Sequence, residues 1–279
     1  MPATLRRYAA FTTVPTGGNP AGVWIGDALP PPQEMQRIAA EVGCSETAFI
    51  VPARGLARTV RYYSPETEIE FCGHATIASG VVLGETEGAG TYRFSIKPGE
   101  VPVKVHRRDG RWEAALTSVA PRHEPAPAKL VAEALAALRW EAADLDASIP
   151  PVRAFAGVWH LVLAVRSLER LAKLDYDYER LKTLMLADGL TTLQLIWRER
   201  ADLFHSRNPF PAGGILEDPA TGAAAAALGG YLRDAGLIAA PATILIRQGE
   251  AMGRPSRITV EMPAADGIVV SGNAVPMED

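Results

Sequence analysis

The chain has 279 residues, 48% of them hydrophobic, and a formal net charge of −4, which is about two ordinary domains with apolar residues enough for real cores and leaves little room for a disordered chain. Acidic and basic residues are interspersed, so nucleic acid is a poor partner, and no apolar run approaches the roughly 18 residues of a membrane span. The stretch from Met1 to Pro15 does not resemble a signal peptide, and two cysteines, Cys44 and Cys72, cannot build a disulfide framework, so a reducing cytoplasm is the expected setting.

The first predicted helix is Pro32 to Val42, with Met35, Ile38, Ala39 and Val42 on one face and Gly43 placed to end it, an amphipathic surface helix. Alternating segments at Arg58 to Tyr63, Thr91 to Lys97, Val101 to His106 and Arg111 to Leu116 read as strands. A helix from about His74 to Gly84 is apolar or small on nearly every side, which suits an element enclosed by strands. Ser118 to Pro127 breaks both periodicities and is the expected linker. Beyond it come a helix near Ala128 to Arg139 and strands near Val152 to Ala156, His160 to Val165, Thr192 to Arg198 and Ala201 to His205. A Pro/Gly-rich loop, Asn208 to Pro219, leads into a small-residue helix from about Gly222 to Arg233, and three more strands follow.

The order of strands, turn and small-residue helix thus occurs twice, which predicts a mixed α+β protein of two similar lobes, residues 1–118 and residues 125–265. Helix starts expose unpaired amides, so Gly73 and Gly222 offer two places to hold a carboxylate without a lysine, while Thr76 and Thr221 are placed to cap or to touch a ligand. Each glycine is equally readable as a tight turn into a core helix. Glu46 lies between a helix end and an apolar strand: either an exposed turn residue, or a carboxylate whose pKa burial raises until it serves as acid and base in turn. His74 opens the first enclosed helix and Asp218 precedes the second; capping and proton handling both remain open for them. His106, His123, His160 and His205 lack metal-ligand spacing, so no metal is expected.

Taken together, Gly18-Asn19-Pro20-Ala21-Gly22-Val23, Ser45-Glu46-Thr47-Ala48-Phe49, Phe71-Cys72-Gly73-His74-Ala75-Thr76 and Glu217-Asp218-Pro219-Ala220-Thr221-Gly222-Ala223 resemble the signature blocks of the PhzF family, and Gln248-Gly249 and Met252 to Ser256 extend the likeness. The resemblance implies a diaminopimelate-epimerase-like fold in which each lobe is a curved mixed sheet, barrel-like, around a central helix, and in which the final strand, 266–279, returns to the first lobe. It implies a homodimer that needs no cofactor and isomerises a small carboxylate-bearing metabolite. Glu46 is the implied proton carrier, His74 and Asp218 assist it, and Asn19, Gly73, Ala75, Thr221, Gly222 and Ala223 line the substrate site. Many relatives carry serine where this chain has Ala223. Racemases of this fold use one cysteine from each lobe; Cys72 matches the first, but Asp218-Pro219-Ala220-Thr221 supplies no second thiol. Two alternatives stand beside the isomerase: a non-catalytic carboxylate binder, and a two-base epimerase using Glu46 and Asp218.

Overall fold

The structure, a computed structural model, describes residues 3–97 and 99–278. The chain divides into two compact units, one running to Thr117 and resuming at Ser271, the other spanning Ser118–Val270. The first holds β1 (Thr4–Ala10), β2 (Asn19–Ile25), α1 (Pro32–Val42), β3 (Glu46–Pro52), β4 (Ala57–Tyr63), β5 (Glu68–Ile69), α2 (Gly73–Glu87), β6 (Gly90–Ile96), β7 (Gly99–Arg108) and β8 (Arg111–Thr117). The second holds β9 (Arg122–Pro125), α3 (Ala128–Leu138), β10 (Val152–Phe155), β11 (Trp159–Ala164), α4 (Leu168–Ala172), α5 (Tyr178–Asp188), β12 (Leu190–Arg200), β13 (Leu203–Pro209), β14 (Glu217–Asp218), α6 (Gly222–Asp234), β15 (Ala242–Gln248) and β16 (Ser256–Met262). The last strand, β17 (Val269–Pro276), brings the chain back into the first unit.

In the first unit the pairings run β1–β2–β3–β4–β6–β7–β8–β17, and β17 pairs with β1 to close a barrel. The β2–β3 and β4–β6 pairs are parallel and their neighbours antiparallel, so the sheet is mixed. α2 runs inside, buried from His74 to Gly84 and packed on β8, β2, β7, β1 and β3. Its small residues are a steric requirement: a Cβ at Gly80 would lie 2.7 Å from that of Ala114, and one at Gly84 would lie 2.7 Å from Trp112. α1 covers the other face of the sheet, where Met35 and Ala39 pack with Trp24, Phe49, Val51 and Tyr63. β3 is therefore sandwiched, which explains its continuous apolar run after Glu46. Gly43 ends α1 in the left-handed region at φ 66°, as its position predicted.

The second unit orders its strands β9–β10–β11–β12–β13–β15–β16, with α6 against β16, β10, β9, β11 and β12. On β11 and β12, Leu161, Leu163, Leu193 and Leu195 join the core under α3 and α5, while His160, Thr192 and Gln194 alternate to the other face. Two expectations fail here. The segment read as a linker contains β9, whose Arg122 pairs with Phe155 and lays its guanidinium over that ring; Pro125 is tolerated because it sits at the strand's end. The loop read as Asn208 to Pro219 is shorter, because β13 continues through Pro209 and β14 returns on it, opposing Asn208 with Asp218. A bidentate bond between the Arg207 guanidinium and the Glu217 carboxylate, at 3.0 and 2.6 Å, clamps that return.

Candidate active site

Two chain breaks bring the first cluster together. Gly43 stops α1, so the next strand begins at Glu46 on the rim of the barrel, and the short β5 delivers Cys72 and Gly73 to the start of α2. The His74 imidazole Nε2 lies 3.2 Å from Glu46 Oε2, and the Cys72 thiol donates to the same oxygen at 3.6 Å. Cys72 Sγ is 3.4 Å from His74 Nδ1, and Ser45 Oγ is 3.3 Å from Nε2. Cys72 and His74 are buried, whereas the Glu46 side chain keeps 20% of its surface exposed. These three groups are the ones among the described residues placed closely enough to share a metal ion.

The electrostatics differ from the expectation drawn from burial alone. Burial is the largest influence on Glu46 and pushes its pKa up, but the hydrogen bond and charge of His74, with bonds from Ser45 and Cys72, together hold the carboxyl below its ordinary value. Burial likewise works against a charged His74, and its hydrogen-bonded partners overcome this and raise it well above an ordinary histidine. Burial first, then the Glu46 charge, pushes the Cys72 thiol up to about 11. A thiol protonated to that pH lends His74 no charge near neutrality, so the Glu46 carboxylate is the partner that keeps the imidazole protonated. Burial and the neighbouring groups thus favour an ionised Glu46 beside a protonated His74 and an un-ionised Cys72 thiol.

Cys72 occupies the cap position of α2 but makes no side-chain capping bond. Thr76 does not cap either: it lies inside the helix, donates to the Cys72 carbonyl at 2.7 Å and meets the Tyr62 hydroxyl at 2.6 Å. Space is open in front of Gly73, where an added Cβ would meet nothing within 4 Å, whereas the Ala75 side chain is fully buried. Asn19 is buried at the first position of β2, opposite Ala10. A surface hollow of about 550 Å³ lined by Leu5, Arg7, Tyr8, Trp24, Ile38 and Val42 includes none of these groups.

In the second unit Asp218, Thr221, Gly222 and Ala223 form the turn into α6, each partly exposed. The Thr221 hydroxyl, expected to cap or to touch a ligand, makes no capping bond and donates to Asp218 Oδ2 at 2.5 Å. Gln248 completes the turn: its Oε1 accepts from the Thr221 amide at 3.2 Å, and its Nε2 donates to the Asp218 carbonyl at 2.7 Å and to Thr221 Oγ1 at 3.0 Å. Sequence reading gave Gln248 and Cys72 no role. Gln248 is 30 residues from Asp218, and only the β13–β15 pairing brings it near.

The barrel around a small-residue helix carries an acid–base cluster at that helix's start, and the relatives of the chain are named isomerases, which makes it an isomerase of the PhzF type. Residues 8–279 match the phenazine biosynthesis-like (PhzC-PhzF) family, and the chain belongs to it. It is 32% identical to the uncharacterized isomerase YfhB of Bacillus subtilis, over 99% of this chain and 97% of that one. It is 29% identical to the trans-2,3-dihydro-3-hydroxyanthranilate isomerase of Pseudomonas fluorescens, over 95% and 94%. The crystal structure of a PhzF-family phenazine biosynthesis protein from Bacillus anthracis superposes with a TM-score of 0.85 at 25% identity, covering 100% of this chain and 98% of that one. The α+β fold implied by the resemblance is the one observed. No helix among the described residues is long and apolar enough to cross a membrane.

Proposed function

We propose that the protein isomerises a small unsaturated carboxylic acid by moving one C–H proton, with Glu46 as base and then acid, without a cofactor and as a homodimer. The observation that supports this best is the largely buried Glu46 carboxylate, 3.2 Å from His74 Nε2 and 3.6 Å from Cys72 Sγ, with His74 holding its pKa below the ordinary value. Both His74 and Cys72 engage Oε2, and Oε1 is assigned to the substrate. Oε1 takes a proton from one carbon; the electron pair of that C–H bond becomes a new double bond as the old one shifts, and the carboxyl returns the proton at the far carbon. Atoms and electrons balance with no oxidant. His74 holds Glu46 in place and steadies charge on the substrate, whose own carboxylate rests at the amides opening α2 beside Gly73. In the second unit Asp218 orders the Thr221–Gly222 turn.

The Pseudomonas fluorescens relative makes trans-2,3-dihydro-3-hydroxyanthranilate the first compound to try. Ala223 has no hydroxyl to offer, so an analogue with one polar group fewer is the second. The test follows the isomerisation of each compound together with exchange of the transferred proton in heavy water. Glu46→Gln is expected to slow exchange by about 10²–10⁴-fold, the usual worth of a positioned general acid–base. Exchange at the wild-type rate in Glu46→Gln removes the mechanism.

A further inference from the structure

Three donor atoms of different chemical kind meet at the start of α2: Cys72 Sγ, His74 Nε2 and Glu46 Oε2, all within 4.8 Å of one another. Their separations are 3.8 Å from sulphur to nitrogen, 3.2 Å from nitrogen to oxygen and 3.6 Å from sulphur to oxygen. A tetrahedral zinc ion, with bonds of about 2.3 Å to thiolate, ~2.05 Å to imidazole and ~2.1 Å to carboxylate, sets the same three edges at about 3.6, 3.4 and 3.6 Å. The triangle already present fits those edges to within about 0.3 Å. Thiolate with imidazole selects a soft or borderline ion over magnesium or calcium. The Glu46 side chain keeps 20% of its surface exposed, so the cluster is not sealed from solvent.

We propose that Glu46, Cys72 and His74 form a three-ligand site for zinc or a similar thiophilic divalent cation, and that the bound ion silences the isomerase. Binding exchanges the thiol and imidazolium protons for the metal, and the atoms that steer the proton then serve as ligands. The binding claim stands on geometry alone, whereas the silencing claim rests on the role proposed for Glu46.

Cobalt titration of the chelator-treated full chain tests both. One equivalent is expected to give a thiolate-to-cobalt charge-transfer band with the intense visible bands of a tetrahedral ion, and zinc is expected to erase both. Cys72→Ser should abolish the charge-transfer band, whereas Cys44→Ser, which removes the other thiol, should keep it. His74→Gln should weaken cobalt binding by at least about 10–100-fold, since losing a mere supporting group already costs that much. Absence of the band in the wild-type protein, or its survival in Cys72→Ser, overturns the site; His74→Gln gives an independent reading if the Cys72 variant folds poorly. Stoichiometric zinc should then stop deuterium exchange and a chelator restore it, and full exchange by the zinc-loaded protein overturns the silencing. A cobalt band in a protein that exchanges no substrate proton would keep the metal site and sink the isomerase mechanism.

Discussion

His160 offers a measurable consequence of the second unit's design. Its side chain has no exposed surface; Nδ1 is 2.8 Å from the Thr192 hydroxyl, and Nε2 has no protein partner among the described residues. Burial depresses its pKa from 6.5 to about 3. A depressed value in the folded state means that the unfolded chain takes up the proton first, so this contribution is fully present above pH 6.5 and drains away as pH falls toward 3. At a pH of about 4.5, two units below the ordinary value, the loss is about 3 kcal/mol at 1.36 kcal/mol per unit. That is a large share of the roughly 5–15 kcal/mol that holds a domain folded. The perturbation is His160→Gln, which can still bond to Thr192 but does not titrate. Urea unfolding of both proteins at neutral pH and near pH 4.5 gives the double difference, in which acid losses from other groups cancel. Wild type should lose about 3 kcal/mol more than the variant on acidification, whatever the variant costs at neutral pH. Equal losses refute the assignment of a neutral, trapped imidazole.

Three further outcomes follow from other contacts. The Glu46–His74 pair predicts a bell-shaped rate profile whose acid limb lies below the ordinary glutamate value of 4.5 and whose basic limb lies above the ordinary histidine value of 6.5; its stabilising effect is complete between those values and fades as pH falls through the lowered carboxyl or rises through the raised imidazole. Gly80→Val should destabilise by about 1–3 kcal/mol in thermal or urea unfolding, because Ala114 and Val103 leave no room, whereas Gly73→Ala, with open space before it, should keep stability and weaken substrate binding. Glu217→Ala strands the largely buried Arg207 guanidinium and should cost about 3–5 kcal/mol, part of it recovered when Arg207 is also replaced by methionine.

Period and punctuation made much of this fold legible. α1 matches its expected span, and α2 and α6 betray themselves by small residues that only an enclosed helix needs. Two elements escaped for identifiable reasons. β9 carries charged residues and a proline, which read as loop until Arg122 is seen stacked over Phe155. β14 has two residues, too few for any period, and is held by an Arg207–Glu217 pair whose members are 10 positions apart. At the site, spacing identified Glu46 and His74 as candidates, but 26 residues separate Glu46 from Cys72, and no sequence period reports that the thiol and carboxylate meet. The sign of the Glu46 shift was likewise beyond a one-residue argument, because burial and the His74 charge oppose each other and only their distance decides the balance.

That balance bears on the single-carboxylate transfer proposed for Glu46. A buried base with a raised pKa would spend part of its time protonated and idle, whereas Glu46 is held ready by a cation bonded to its other oxygen. Once Glu46 takes a proton, the imidazolium is left facing a neutral acid, and the pair regains its attraction when the proton leaves. The cluster therefore favours returning the proton over holding it, as a shuttle between two carbons requires. Cys72 adds a weak donor to the same oxygen and, as a thiol protonated to about 11, competes for no substrate proton near neutrality. In the mechanism proposed above one carboxylate suffices for the transfer, and the Cys72 thiol, pushed up to about 11, takes no part in it.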